Sequence, residues 1–283
     1  MEIEGLRVLV TGASSGIGEE MARAFSAAGA ETLLVARRAE RLEALAAELP
    51  GAVVIVGDLG ENGGAAQVAA QAGPVDVLVN NAGSETGGSV WAVGDRDEAR
   101  RMFEVDWWAP LALISALVPG MRERGRGAVV NVTSIRQILA WPSLGHSAAA
   151  KAALAQATST LRLELTGSGV GVVEVIPGPV ETAALGASRL LPGFVELLDG
   201  IFGTGTPGEL AELVVAAVRE ERERVFYPKA VEQAYDDPSG LRATMAEAVR
   251  ELGPPPPELA DTLVLGPGDP MITEAKAAWE NGR

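Results

Sequence analysis

The sequence predicts an α/β protein in which helices cover both faces of a parallel sheet, and three observations predict it. Apolar, strand-length runs recur along the chain with helical stretches between them. The first run, Leu6–Val10, feeds a glycine-rich loop and then an Ala-rich helical stretch, giving strand, turn and helix in succession. The chain has 283 residues, 47% hydrophobic and 22% charged, enough for one α/β domain with a large core.

Taken in order, the expected strands are Leu6–Val10, Thr32–Ala36, Ala52–Val56, Val75–Val79, Gly127–Val132, Val170–Ile176 and Arg224–Tyr227. The expected helices are Gly16–Ala28, Ala39–Leu49, Gly63–Ala72, Arg96–Arg124, Ser143–Gly167 and Pro207–Glu220. Sheets built this way bind ligands at the carboxyl ends of their strands, where the strand order reverses. Beyond them, Leu241–Leu252 reads as one amphipathic helix. The run Pro254–Pro257 reads as an extended spacer. Leu259, Leu263, Val264, Leu265 and Trp279 suggest that the tail docks.

The first loop reads Thr11-Gly12-Ala13-Ser14-Ser15-Gly16-Ile17-Gly18. Gly12 suits a tight turn, Gly16 a close backbone approach to a pyrophosphate, and Gly18 close packing of the new helix on the sheet. The phosphates would sit at the helix N-terminus, where unpaired N–H groups and the helix dipole favour anions. The second strand ends in Arg37 and Arg38 rather than in an acidic residue. Two guanidiniums there suit the 2′-phosphate of NADP(H) better than a bare ribose hydroxyl. Asp58-Leu59 follows the third strand and Asn80-Asn81-Ala82-Gly83 the fourth; such an Asp can accept from a ring amine, and such Asn side chains can tie loops together.

Composition narrows the partners. The net charge of −15, from 23 basic and 38 acidic residues, argues against a nucleic-acid surface. No Cys is present and His146 is the only His, so thiol nucleophiles, disulfides and multi-histidine metal sites are excluded. The expectation is no membrane span, no signal segment and a cytoplasmic protein acting on a small molecule.

Together, Thr11–Gly18, Asp58, Asn80–Gly83, Ser134, Lys151 and Pro177-Gly178-Pro179-Val180-Glu181-Thr182 stand in the order and spacing of the short-chain dehydrogenase/reductase family, and residues 3 to 228 resemble it. The resemblance implies a three-layer, doubly wound Rossmann-like sheet of seven strands and hydride transfer to or from a nicotinamide. It implies Asp58 near the adenine, Asn80 near the adenosine ribose, and Lys151 on the nicotinamide ribose. Val180 and Thr182, after Pro177-Gly178, would hold the carboxamide. Arg37 matches members that prefer NADP, and family members commonly form dimers or tetramers through their two long helices. Residues 1–228 then form the nucleotide-binding domain. Residues 229–283 form a helical, Pro-rich extension docked on the same domain or on a neighbouring subunit.

One departure bears on the chemistry. The family's catalytic tyrosine lies four residues before the lysine, and that position here is Ser147, thirteen residues after Ser134. The chain's two tyrosines, Tyr227 and Tyr235, lie far downstream. The asparagine of the family's proton relay corresponds to Asp106. A serine hydroxyl is a far weaker acid than a phenol and reaches less far, and general acid–base help is worth about 10²–10⁴ in rate. His146 and Asp106 are the nearest titratable candidates to take over, and restoring the ring by Ser147→Tyr is expected to raise reductase activity. Glu85, Arg136, Gln137 and Trp141 are candidate substrate contacts, Arg136 as a clamp for an anion. An apolar stripe between Ala183 and Thr204, which the resemblance makes a substrate lid, suggests a largely apolar substrate. The first reading is an NADP(H)-dependent oxidoreductase with an altered proton-transfer site. The alternatives are a non-redox cyclase, lyase or isomerase on the same scaffold, or a catalytically silent nucleotide-binding protein.

Overall fold

The computed structural model describes residues 1–183, 185 and 193–252. A seven-stranded sheet runs through the molecule in the order β3-β2-β1-β4-β5-β6-β7, every neighbouring pair parallel. The strands are β1 (Arg7–Thr11), β2 (Glu31–Ala36), β3 (Val53–Val56), β4 (Val77–Asn80), β5 (Gly127–Val132), β6 (Val170–Pro177) and β7 (Arg224–Tyr227). The chain winds outward from β1 to β3, returns beside β1 as β4, and winds outward again to β7. The reversal between β1 and β4 opens a crevice at their carboxyl ends.

Side chains alternate across the sheet, as a period of two requires. Val8 and Val10 of β1 join a cluster with Met21 and Phe25 of α1 (Gly16–Ala27) and Leu42 of α2 (Ala39–Glu48), whereas Leu9 faces the opposite side. There it joins Val68 of α3 (Gly64–Ala72) and, further along the chain, Leu113 and Met121. Burial on both faces is why the strands read as continuous apolar runs. Each expected strand lies within two residues of the observed one.

The expected helix Arg96–Arg124 is a continuous rod in three pieces. They are α5 (Asp97–Phe103), a π-turn (Glu104–Trp108) and α6 (Ala109–Arg124), preceded by a short α4 (Val90–Val93) that the sequence reading did not anticipate. Pro110, at the start of α6, has no N–H to donate to the Asp106 carbonyl, and the Ala109 N–H bonds to Glu104 O instead. The ladder therefore slips by one residue at Asp106, and π-turns of this kind recur at functional sites. Contrary to expectation, residues 97–124 are long and apolar enough to span a bilayer by length and composition. That apolarity has another use here, because Ala109, Leu113, Leu117, Val118 and Met121 pack on the sheet.

The helix that follows β5 starts later than expected, as α7 (Gly145–Glu164), behind Ser143 at a φ of +68°. Helices α8 (Phe194–Phe202), α9 (Pro207–Arg219), α10 (Ala230–Asp236) and α11 (Pro238–Leu252) complete the described chain. Val231, Leu241 and Met245 of the extension pack with Ile135, Leu139, Leu144, Ile176 and Phe194 in a third cluster. Phe194, Leu198 and Phe202 belong to that cluster, so this part of the expected lid is core packing. Leu190, Leu191, the proline run and the expected docking residues 259–279 lie outside the described residues.

Candidate active site

The crevice is bolted at the ends of β1 and β4. Thr11 Oγ1 donates to Val79 O at 3.2 Å and accepts from the N–H groups of Asn81 and Ala82 at 2.9 and 3.0 Å. Asn81 Nδ2 donates to Thr11 O at 2.9 Å. At Gly12 and Gly18 the loop beyond Thr11 has no room for a side chain. A Cβ on Gly18 would stand 2.4 Å from both Asn81 Nδ2 and Gly12 O, and one on Gly12, at φ +69°, 2.9 Å from Ala82 Cα. Gly16, at φ +59°, leaves an opening of one methyl's width toward Thr182, whose Cγ2 lies 3.1 Å from where its Cβ would be. Ser15 caps α1 without accepting from the helix N–H groups through its hydroxyl, so the first-turn N–H groups point into this cradle. The cradle fits a pyrophosphate. Ile17 packs against the first core cluster.

Asn80 takes a different place from the one expected beside a ribose. It is 3% exposed, and its Nδ2 donates to Asn131 Oδ1 at 2.9 Å; Asn131 in turn donates to Thr158 Oγ1 at 2.8 Å. The side chain lies on the face of the sheet covered by α7 and ties β4 to β5 and, through Asn131, to α7, because alternation along β4 turns residue 80 to that face.

At the adenosine end the two adjacent arginines diverge. Arg38 lays its guanidinium on the glycine loop, with Nη2 2.9 Å from Ser14 Oγ and 2.8 Å from Ser15 Oγ. Arg37 is exposed to solvent. Asp58 accepts from Gly60 N at 2.8 Å and pairs with Arg101 Nη2 at 2.5 Å, while Leu59 is buried in the second cluster. Arg101 thus fixes the carboxylate assigned to the adenine, a role no spacing in the sequence announced.

At the other end, α7 presents Ser147 and Lys151 one turn apart on the same face. Lys151 Nζ lies 2.9 Å from Asp106 Oδ1 and donates to Val132 O at 3.3 Å. Asp106 also accepts from Ser84 N at 2.8 Å and is 2% exposed. Burial pushes its carboxyl above the usual carboxylate range, against the opposing pull of the Lys151 ammonium and the Ser84 N–H. Gly83 lies against the pair, its missing Cβ 3.5 Å from Asp106 Oδ1.

Ser134 caps a 3-10 turn, Ile135–Gln137, by accepting from Arg136 N at 3.1 Å. That bond occupies the hydroxyl as an acceptor and leaves its O–H to donate. Arg136 Nη1 reaches Glu85 Oε1 at 3.0 Å and Ser147 Oγ at 3.4 Å. Glu85, Arg136 and Ser147 thus meet as expected for a site. Gln137 does not join them: its Nε2 donates at 3.2 Å to Glu174, a carboxylate fully buried in β6 that also pairs with Arg224. Trp141 stacks at 4.9 Å on Phe194 in the third cluster. His146 is turned to the Gly94 carbonyl at 2.8 Å, because neighbouring helical residues point about 100° apart. The tyrosines serve elsewhere. Tyr227 OH bonds to Glu209 and to Thr206 N, and Tyr235 stacks on Phe226.

The segment after β6 closes the cleft. Pro177 ends the strand, Gly178 N donates to Tyr227 O at 2.7 Å, and Val180 is buried in a bridge to Gly205. These bonds bring Thr182 over Gly16.

A glycine cradle at a strand-order reversal, with a half-buried lysine paired to a buried carboxylate at the far end of the cleft, defines a dinucleotide-binding α/β enzyme. The family model described as short chain dehydrogenase matches residues 7–190. A short chain dehydrogenase of Pseudocercospora fijiensis is 35% identical over 273 residues, covering 89% of this chain and 86% of that protein. Dehydrogenase/reductase SDR family member 7B of Rattus norvegicus is 37% identical over 191 residues, 62% of this chain and 58% of that protein. The crystal structure of a short chain dehydrogenase from Burkholderia cenocepacia in complex with NADP superposes with a TM-score of 0.73 at 29% identity, covering 90% of this chain and all of that one. The chain belongs to the short-chain dehydrogenase/reductase family, and it is an oxidoreductase of that family.

Proposed function

We propose that the protein is an NADP(H)-dependent oxidoreductase that reduces a carbonyl, or oxidises an alcohol, of a largely apolar small molecule. The observation that carries the cofactor preference is Arg38, whose guanidinium lies across Ser14 and Ser15 where a 2′-phosphate would meet all three. The related structure described in complex with NADP supports it. In this reading the first turn of α1 holds the pyrophosphate, Asp58 accepts from the adenine amine, Val180 and Thr182 hold the carboxamide, and Lys151 holds the nicotinamide ribose. Bound there, the nicotinamide supplies or accepts hydride. The Ser134 hydroxyl donates to the substrate oxygen. Exposed Trp108 and Leu163, beside and on the two long helices, support a homodimer or homotetramer, which sedimentation tests.

Calorimetry with NADPH and NADH, beside NADPH consumption over a panel of ketones and aldehydes, tests the proposal. Tighter NADPH binding together with consumption is expected. Equal or tighter NADH binding refutes the preference. NADPH binding with no carbonyl turned over refutes the reductase and favours a non-redox reaction.

A further inference from the structure

Ser147 stands at the family's phenol position, and the structure seats a guanidinium on it. We propose that Arg136 is the hydrogen-bond donor that holds the substrate's oxygen in place of that phenol, while the proton itself comes from water; the inference rests on the reductase reading above. The geometry is built rather than incidental. The Ser134 hydroxyl caps the turn that carries Arg136, so the hydroxyl and the guanidinium are delivered by one local structure. Glu85, contributed by the loop after β4, aims the fork at 3.0 Å, and Ser147 receives Nη1 at 3.4 Å. The Arg136 side chain is 18% exposed and Glu85 27%, so the pair is half-buried and less screened than an ion pair in open solvent. A ring at position 147 would begin where Oγ stands and would need the volume that the guanidinium holds.

A phenol both polarises the carbonyl and delivers a proton; a guanidinium keeps its protons at any working pH and can only polarise. As a C–H bond of the reduced nicotinamide breaks and its hydride forms a C–H bond at the carbonyl carbon, the C=O π pair moves onto oxygen, and the resulting alkoxide lies between the Ser134 O–H and the Arg136 fork. The carbonyl is reduced and the nicotinamide oxidised. The alkoxide then takes a proton from water, and the hydroxide left behind passes to bulk solvent. Donors of this kind contribute about 10²–10³ in kcat. Lys151, held 2.9 Å from Asp106, is left to the cofactor ribose and has no phenol to acidify.

The test uses Arg136→Ala, Ser147→Tyr and the double variant, each checked for folding by circular dichroism, with the panel ketone the native protein reduces fastest. A second readout is calorimetric binding of benzoate, whose carboxylate oxygen mimics the alkoxide, with and without NADP. Arg136→Ala should lower kcat about 10²-fold with NADPH affinity unchanged, and should weaken benzoate binding at least tenfold. Native kcat should be flat from pH 6 to 9. Ser147→Tyr alone should gain nothing. The double variant should recover at least tenfold over Arg136→Ala and acquire an alkaline limb as its phenol ionises. Undiminished kcat or benzoate affinity in Arg136→Ala overturns the proposal, as does absent benzoate binding in the native protein or a gain from Ser147→Tyr with Arg136 in place. If the native protein reduces no carbonyl yet binds benzoate through Arg136, the reductase reading fails while the oxyanion site stands.

Discussion

Around the glycine loop, the ends of β1 and β4 are held by short contacts among backbone groups, Thr11 and Asn81, and side chains are excluded by distances as small as 2.4 Å. Around Ser134 the cleft is held instead by long charged side chains drawn from separate segments: Glu85, Asp106, Arg136 and Lys151. The first region is rigid for steric reasons and tolerates no added atom. The second is two ion pairs, one built on the buried Asp106 and one half-buried, whose geometry survives only while both members of each pair are present. Substitutions should therefore fail differently at the two ends.

The largest effect is expected from Lys151→Ala. It leaves Asp106 buried beside the cut-off stem, and breaking one partner of a buried pair costs roughly 3–5 kcal/mol. Thermal denaturation should show a fall of many degrees, and NADPH affinity should drop with it. Adding Asp106→Asn should recover part of the stability. An unchanged midpoint and dissociation constant would show that the ammonium bears neither load.

Gly18→Ala tests the steric end. Its Cβ would stand 2.4 Å from the Gly12 carbonyl oxygen, a backbone atom that cannot swing aside. Overpacking of this kind costs about 1–3 kcal/mol, and here it should also lower NADPH affinity at least tenfold by moving the cradle. Full cofactor affinity in a folded Gly18→Ala protein would break the contrast drawn above.

Arg38→Ala should act on one cofactor only. NADPH binding should weaken about tenfold, roughly 1.4 kcal/mol, with NADH binding unchanged. Parallel losses for both cofactors would mean that Arg38 merely props the loop through Ser14 and Ser15.

The smallest effect is a pH dependence at Asp106. Burial raises this carboxyl in the folded state, so between the unfolded and the folded value the native protein holds a proton that the unfolded chain has released. Its contribution to stability is complete below the unfolded carboxylate value near 4 and is lost as pH rises through the folded value. The melting difference between Asp106→Asn and the native protein should therefore shift in favour of the variant across that interval. A difference that shifts the other way would mean that Lys151 outweighs burial.

The contrast also explains which features of the site were legible. The cradle was readable because steric exclusion is written locally: Gly12, Gly16 and Gly18 lie within one loop. Lys151 and Ser147 were readable because they sit one helical turn apart. That Asn80 ties β4 to β5 and α7 while Asn81 ties the loops depends on which face of the sheet residue 80 takes, and one step of register decides it. Gln137 turned inward because Glu174, on another strand, lies beneath its turn. Seating Arg136 on Ser147 depends on Glu85, 51 residues away.

The sequence by itself determined the strand order's raw material, the anion cradle and the absence of a phenol at position 147, because each follows from local periodicity, local sterics or residue identity. The tertiary structure decided what fills that position, which asparagine ties the loops, which arginine meets the cofactor loop and where the long helix slips. Those outcomes turn on contacts between segments far apart in the chain, which strand register and helix placement create and local sequence does not encode.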